Sequence, residues 1–229
     1  METEPILVRP IARIQTDFAG KFGVPRQSGL VPELRGRILF EPAFRSPEAV
    51  RGLEEFSHIW LLWHFSAAAP EGETFSPTVR PPRLGGNVRL GVFATRSPFR
   101  PNRIGLSCVR LERVEPDTPD GPVLHVLGAD LMDGTPILDI KPYVPYADCR
   151  PEASGGFTTK EARRVRCVIP PELTDRLPPD RLAALRGVLE QDPRPSYQND
   201  PDRVYGFGFA GREIRFRVRD GELTVIDIQ

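Results

Sequence analysis

Short apolar runs, the first of which alternates loosely with polar residues, are separated by turn residues between residues 5 and 140, a pattern typical of β-strands. The most apolar stretch, residues 57–65 (SHIWLLWHF), has tryptophans at positions 60 and 63, which a strand places on opposite faces. We therefore predict a central strand there. Ser46 followed by Pro47 predicts a short helix to residue 53. Further short runs predict strands at residues 5–16, 36–40, 88–94, 104–114, 123–129 and 137–140.

A change of composition then divides the chain. Residues 147–159 are mostly small and polar, which predicts a linker between one domain at residues 1–150 and a smaller domain at residues 151–229. The first region is rich in strands and turns and nearly free of helix, so we expect an antiparallel sheet that closes into a barrel. The predicted fold class is mainly β (α+β), with an antiparallel β-barrel core and a small α+β C-terminal domain.

The C-terminal region mixes helix and strand. Residues 179–191 predict its one long helix, because Leu182, Leu185 and Leu189 recur on one face together with Val188. Arg215, Arg217 and Arg219 alternate with apolar residues and suit either an RNA-binding face or, as we favour, the solvated side of a strand. Strands are predicted at residues 163–169, 203–210, 213–219 and 223–228.

Composition narrows the class of protein. The chain has 229 residues, a formal net charge of +0 and 39% hydrophobic residues, so any nucleic-acid affinity must come from charge placement. No apolar run is long enough to span a bilayer, and the N-terminus lacks the features of a signal peptide, which makes the cytoplasm the expected location. The three cysteines and three histidines lack ligand spacing, so we predict no metal.

One segment gathers positive charge. Residues 75–110 contain no Asp or Glu, and prolines and glycines set their turns. Arginine forks suit phosphate and carboxylate groups, so we predict an anion site here, for nucleic acid in the first instance. The alternative is a basic, solvated loop surface. The arginines of this basic segment are Arg80, Arg83, Arg89, Arg96, Arg100, Arg103 and Arg110.

Acidic residues follow at a predicted turn. Asp130, Asp133 and Asp139 could accept hydrogen bonds or a proton, although Asp133-Gly134 is also what a tight hairpin requires. Residues 25–27 (Pro-Arg-Gln) and 191–197 (QDPRPSY) are two further polar islands. From the residues alone, an anionic ligand is supported and catalysis is not established.

The motifs add a family resemblance. Residues 80–107 (RPPRLGGNVRLGVFATRSPFRPNRIGLS), 130–148 (DLMDGTPILDIKPYVPYAD) and 191–197 closely resemble the TrmO (TsaA-like) family of bacterial tRNA methyltransferases, as do residues 25–27 and 52–60. The resemblance implies a homodimer with a small β-barrel core and S-adenosylmethionine as methyl donor. The implied target is N6 of threonylcarbamoyladenosine at position 37, beside the anticodon, in tRNA for threonine. Two other classes remain open: a non-catalytic RNA-binding module, and an enzyme acting on a small anionic metabolite.

The resemblance also implies roles for individual residues. Asp130 or Asp133 is the expected proton acceptor, and the C-terminal domain is expected to assist tRNA binding. The residues expected against the donor are Pro25, Arg26, Gln27, Ser66, Ala67, Arg96, Cys108, Asp130, Leu131, Met132 and Asp133. Those expected against tRNA and the threonyl carboxylate are Arg80, Arg83, Arg100, Asn102, Lys141, Tyr143 and Arg194.

Overall fold

A computed structural model describes residues 4–68, 75–84, 87–159, 164–194, 198 and 200–229. Its first part contains eight strands and one short helix, α1 (Pro145–Asp148). The strands are β1 (Ala12–Gln15), β2 (Arg35–Phe40), β3 (His58–His64), β4 (Thr78–Val79), β5 (Leu90–Gly91), β6 (Ile104–Glu115), β7 (Val123–Leu127) and β8 (Pro136–Pro142).

Six of these strands close into a barrel in the order β1-β2-β7-β6-β3-β8. All six pairings are antiparallel. Alternate residues point inward, as in β3, where Ile59, Leu61 and Trp63 are buried while the residues between them are more exposed. The predicted barrel and the mainly β fold class are therefore confirmed, because an inward-facing apolar set at every second position specifies such a sheet.

Several predicted elements differ in the structure. Residues 88–94 do not form one strand: only Leu90–Gly91 pairs, with β4, and the chain then turns into a 3-10 helix at Val92–Ala94. The expected helix after Ser46 consists of two separate 3-10 turns, and the Ser46 side chain makes no capping hydrogen bond. Gly52 interrupts these turns with a φ of 83°, which ends helical geometry.

The C-terminal part contains strands β9 (Arg166–Val168), β10 (Tyr205–Phe209), β11 (Arg212–Arg219) and β12 (Glu222–Ile228), and helix α2 (Pro179–Glu190). The sheet order is β10-β11-β12-β9, in which β9 pairs with β12 in parallel. Helix α2 buries Leu185, Val188 and Leu189 against this sheet, as its sequence pattern predicts. Among the described residues, no helix is both long and apolar enough to cross a membrane.

The connection between β1 and β2 belongs to both parts of the molecule. It begins and ends at barrel strands, but Phe18, Val31 and Leu34 are buried in the C-terminal core. Phe18 packs edge-on against Phe209 with the ring centroids 5.3 Å apart. Because this connection contains residues 25–27, the C-terminal core supports a segment with candidate site residues.

Candidate functional site

A cavity of about 490 Å³ opens at one end of the barrel. Five segments line it: the β1–β2 connection, the end of β3 with the residues after it, the turn before β6, the start of β6, and the β7–β8 connection. All except the start of β6 and the end of β3 are loops, whose ends the barrel strands hold in place. A cavity of this size, with both apolar and charged walls, suits a small organic ligand.

Asp130 lies on the wall of this cavity and is held by a buried hydrogen-bond chain. Trp63 Nε1 donates to Ser107 Oγ at 3.0 Å, and Ser107 Oγ donates to Asp130 Oδ1 at 2.5 Å. Ser107 faces inward because it shares the phase of Val109 and Leu111 on β6. These hydrogen bonds join three elements: β3, β6 and the connection after β7.

Burial raises the pKa of the Asp130 carboxyl above its ordinary value. The hydrogen bond from Ser107, backbone hydrogen bonds from Asp130 itself and from Ser28, and the positive charge of Arg96 oppose that rise. Burial is the largest of these effects, so the proton affinity of Asp130 exceeds that of a solvated aspartate. A partly buried carboxyl with a raised pKa, facing a cavity, is a candidate proton acceptor.

Arginines brace the rim of the cavity. The guanidinium of Arg96 donates to Gln27 Oε1, which joins the turn before β6 to the β1–β2 connection. Arg100 Nη1 donates to the carbonyl oxygens of Thr95 at 3.0 Å and Ser97 at 3.4 Å and so holds its own turn closed. Both arginines line the cavity, and their positive charge favours an anionic group on the ligand.

The remaining wall is apolar. The Trp63 and Phe65 rings meet edge to face with centroids 4.2 Å apart, and Ile104 and Leu106 on β6 extend the surface outward. Phe99 lines the same cavity and is 54% exposed. A flat aromatic group such as a nucleobase could therefore bury its faces here.

Arg100, which was expected against tRNA and the threonyl carboxylate, lines this cavity. So do most of the residues expected at the donor site. They are Pro25, Arg26, Gln27, Ser66, Ala67, Arg96, Asp130, Leu131 and Met132. Two expected residues lie elsewhere. Asp133 is exposed, and its Oδ1 accepts the Thr16 amide at 3.0 Å. Cys108 lies on the opposite face of β6 from Ser107 and pairs in register with Trp60.

The face of the barrel that carries Cys108 also carries Tyr143. The Tyr143 ring lies 5.9 Å from that of Trp60, and Trp60 Nε1 donates to Asp148 Oδ2 at 3.0 Å. Lys141 is exposed and forms an ion pair with Asp139 at 2.9 Å. Neither Lys141 nor Tyr143 is among the residues that line the cavity.

The other residues expected against tRNA are dispersed. Arg194 is mostly buried and donates twice to Asp192, from Nε at 2.8 Å and Nη2 at 2.9 Å, so its fork is already occupied. Arg80 and Asn102 are exposed. The Arg83 side chain, Gly85-Gly86 and residues 195–197 of the QDPRPSY island lie outside the described residues.

A second crevice of about 470 Å³ lies between the barrel and the C-terminal part. Asp133 lines it, together with Asp17 and Arg181, whose Oδ2 and Nε atoms are 3.1 Å apart. Burial raises the pKa of Asp17, and the charge of Arg181 opposes the rise. Asp130 and Asp133, three positions apart in sequence, therefore face different cavities.

Trp63 and Ser107 were missed as site residues by the sequence analysis. Ser107 carries a detectable signal, because it is a lone hydroxyl on the inward phase of a strand that is otherwise apolar there. The hydrogen-bond partner of such a residue depends on strand register, which the pattern alone leaves open. Within the part of the chain that the structure describes, no group of three His, Cys, Asp or Glu residues is placed to hold a metal ion.

Comparison with known protein families gives two matches. Residues 13–149 match the tRNA-methyltransferase O N-terminal domain, and residues 171–229 match the TrmO C-terminal domain. The first match alone covers more than half of the chain and includes every segment that lines the cavity.

Named relatives and a solved structure agree with these matches. A tRNA (adenine(37)-N6)-methyltransferase of Escherichia coli is 40% identical over 96% of both chains. A Pseudomonas aeruginosa relative, 44% identical over 96% of both chains, is named as a candidate S-adenosylmethionine-dependent methyltransferase. The crystal structure of TrmO from Pseudomonas aeruginosa superposes with a TM-score of 0.79 at 35% identity and covers 99% of each chain.

Proposed function

Since the chain belongs to the tRNA-methyltransferase O family, we propose that it methylates N6 of adenosine 37 in a tRNA, with S-adenosylmethionine as methyl donor. The substrate nucleoside is threonylcarbamoyladenosine, and the tRNA is one that reads threonine codons. The single observation that carries the proposal is the partly buried carboxyl of Asp130 on the wall of a cavity that suits a nucleoside. The proposed location is the cytoplasm.

The cavity walls fit the donor. The aromatic and aliphatic wall formed by Phe65, Phe99 and Leu106 suits an adenine ring. Arg26 and Arg96 also line the cavity and suit the donor's amino-acid carboxylate. When bound, the donor supplies an electrophilic methyl group on a positively charged sulfur. The Asp130 carboxylate favours that charge, since opposite charges attract strongly away from bulk water.

Asp130 also carries the proton transfer that the reaction needs. The ureido N6 carries a proton and is a weak nucleophile until that proton leaves. In the proposed step the N6–H bond breaks, its proton passes to the Asp130 carboxylate, and the electron pair left on N6 forms the new N–CH₃ bond. The donor would supply the methyl group and keep the electron pair of its C–S bond on sulfur. The protein contributes alignment and a proton acceptor, without a covalent intermediate.

The tRNA approaches over the basic segment. Arg100 lies at the cavity rim and suits the threonyl carboxylate, while exposed Arg80 suits a phosphate of the anticodon loop. Arg83, Asn102, Lys141 and Tyr143 remain in the proposed tRNA surface, and Arg194 is retained only as support for the loop that carries it. The C-terminal domain is proposed to assist by supporting the β1–β2 connection.

A homodimer is part of the proposal. Phe75 and Phe93 stack with centroids 6.3 Å apart on the outside of the molecule, and Phe93 is 73% exposed. Exposed aromatic surface of this kind is a candidate contact for a second copy of the chain. Sedimentation equilibrium should give twice the mass of one chain. A monomer at micromolar concentration would show that the homodimer proposal is wrong.

Calorimetry with S-adenosylmethionine alone tests the donor assignment. Leu106→Lys places a cation in the apolar wall and should abolish the binding heat. Val204→Lys is the matched control, since Val204 is also a partly exposed apolar residue but lies outside the cavity. Donor binding that survives Leu106→Lys unchanged would move the donor elsewhere. No binding by the wild-type protein at high micromolar donor would favour a non-catalytic RNA-binding module.

A further inference from the structure

The chain of hydrogen bonds through Trp63, Ser107 and Asp130 has a fixed direction. An indole N–H only donates, so Trp63 must donate to Ser107. The Ser107 hydroxyl is then an acceptor for Trp63 and keeps one proton to donate. Among the described residues its recorded acceptor is Asp130 Oδ1, at 2.5 Å. Ser107 is 1% exposed, so its hydroxyl is shielded from bulk solvent.

This direction determines which carboxyl oxygen takes up a proton. If Asp130 Oδ1 carried a proton that pointed to Ser107 Oγ, Oδ1 would no longer accept the Ser107 proton. The Ser107 hydroxyl would then lose its hydrogen bond to Asp130 inside the barrel. A buried donor that has no acceptor is strongly disfavoured. A proton on Oδ2 leaves every bond of the chain intact. We propose that Ser107 is a positioning residue that reserves Asp130 Oδ1 as an acceptor and directs the substrate proton to Oδ2.

The inference rests on the proposed function, in which Asp130 accepts the N6 proton. Ser107 does not touch the reacting atoms and acts only through Asp130. Its donated hydrogen bond stabilises the ionised carboxylate, which is the form that accepts a proton. Ser107 thus offsets part of the effect of burial, which works in the opposite direction. Without Ser107, Asp130 should hold a proton over a wider range of pH and be inactive there.

Other charged groups face Asp130 and must be kept constant. Arg96 contributes positive charge, and the amides of Ser28 and Asp130 itself donate hydrogen bonds. His64, Arg26, Lys21 and Arg100 line the same cavity, and His64 is a second titratable group there. A pH–rate profile alone could therefore report His64, so the test also follows Asp130 directly.

The experiment compares the wild type with Ser107→Ala, Ser107→Thr and Ser57→Ala. Ser57 is the matched control, because it is an exposed hydroxyl that bonds to His58 beside β3 and lies outside the cavity. Carbon-13 NMR of the Asp130 carboxyl, assigned with Asp130→Asn, gives its titration in the free protein without donor or tRNA. Single-turnover methylation is measured over the same range of pH.

Ser107→Ala should move the Asp130 titration to higher pH and slow methylation about tenfold on the acid side of the profile, with the alkaline plateau within about twofold of wild type. Ser107→Thr keeps the hydroxyl and should restore the wild-type titration and profile. Ser57→Ala should match the wild type. An unmoved Asp130 titration in folded Ser107→Ala, or an equal loss at every pH, would overturn the inference. A wild-type protein that methylates no tRNA would instead overturn the proposed function, and the NMR titration would still judge the hydrogen bond.

Discussion

Gly23 lies directly against the ring of Phe207, so that a β-carbon at position 23 would be 2.5 Å from ring atom Cδ2. Gly23 belongs to the β1–β2 connection and Phe207 to β10 of the C-terminal sheet. Gly23 also has a φ of 94°, which other residues rarely adopt. The contact sets the distance between the β1–β2 connection and the C-terminal core. It lies two residues before Pro25, which lines the cavity.

Gly23→Ala should therefore weaken donor binding although residue 23 does not line the cavity. The clash with Phe207 and the backbone strain should both displace the β1–β2 connection from the C-terminal core. We expect the free energy of unfolding to fall by at least about 1 kcal/mol and the donor Kd to rise several-fold. Gly221→Ala is the matched control, because Gly221 has a φ of 78° but nothing within 4 Å of its built β-carbon. Calorimetry and thermal unfolding measure both effects. Equal donor affinity in the two variants would show that the C-terminal core does not support the cavity.

Gly105 provides a second close approach, in this case beneath Trp63. A β-carbon at Gly105 would lie 2.3 Å from Trp63 Cε2, and the two residues pair in register between β6 and β3. Gly105→Ala should displace the indole, break its bond to Ser107 and cost about 1–3 kcal/mol of stability. The indole N–H resonance of Trp63 and urea unfolding report these changes. Gly91→Ala, which has open space around it, should change neither.

Asp130→Asn should reduce single-turnover methylation by about 10²- to 10⁴-fold, the usual contribution of a proton acceptor. Asp133→Asn should stay within about threefold of wild type, because Asp133 holds the Thr16 amide and faces the other crevice. Comparable losses in both variants would place the proton acceptor elsewhere.

Stability should depend on pH through the same residue. Because the folded pKa of Asp130 is raised, its contribution is fully present below the unfolded pKa and is lost as pH rises through the folded value. Asp130→Asn removes that loss while keeping an acceptor for Ser107. Its melting temperature at pH 7 should therefore equal or exceed that of wild type. A clear destabilisation at pH 7, with no difference from its effect at pH 3, would contradict this linkage.

Arg80→Ala should weaken tRNA binding in a salt-dependent way. If the exposed Arg80 neutralises one phosphate, the slope of log Kobs against log salt should fall by about 0.7–0.9. Arg51→Ala is the control, since Arg51 is exposed but forms an ion pair with Glu48. Arg194→Ala should change stability rather than the slope, because it removes a largely buried partner of Asp192. Filter binding between about 50 and 200 mM salt measures all three slopes.

The barrel could be predicted from the sequence because its strands are short apolar stretches separated by turn residues. The clearest examples are residues 57–65 and 104–114, which correspond closely to β3 and β6. The strand predicted at residues 88–94 was wrong. This segment is mostly apolar, as a strand would be, but it bends, and only Leu90–Gly91 pairs with another strand. Strand propensity is a property of one segment, whereas strand pairing also depends on a second segment.

The candidate site was harder to assemble from sequence for a related reason. Loop residues such as Arg26, Arg96 and Asp130 could be named as a set, and the structure brings them to one cavity. The pattern could not show that Asp133 turns to a different crevice, that Arg194 is held by Asp192, or that Cys108 faces outward. Each depends on strand phase or on a partner side chain, which a single sequence does not reveal.

The central claim is the methylation of threonylcarbamoyladenosine in tRNA, and nucleoside mass spectrometry tests it most directly. Threonine tRNA that carries threonylcarbamoyladenosine but lacks its methyl group is incubated with the protein and S-adenosylmethionine, then digested to nucleosides. We expect that threonylcarbamoyladenosine falls while a nucleoside 14 mass units heavier, about the mass of one CH₂, rises in equal amount, and that Asp130→Asn slows this change by about 10²- to 10⁴-fold. An unchanged threonylcarbamoyladenosine peak with active, donor-binding protein would contradict it.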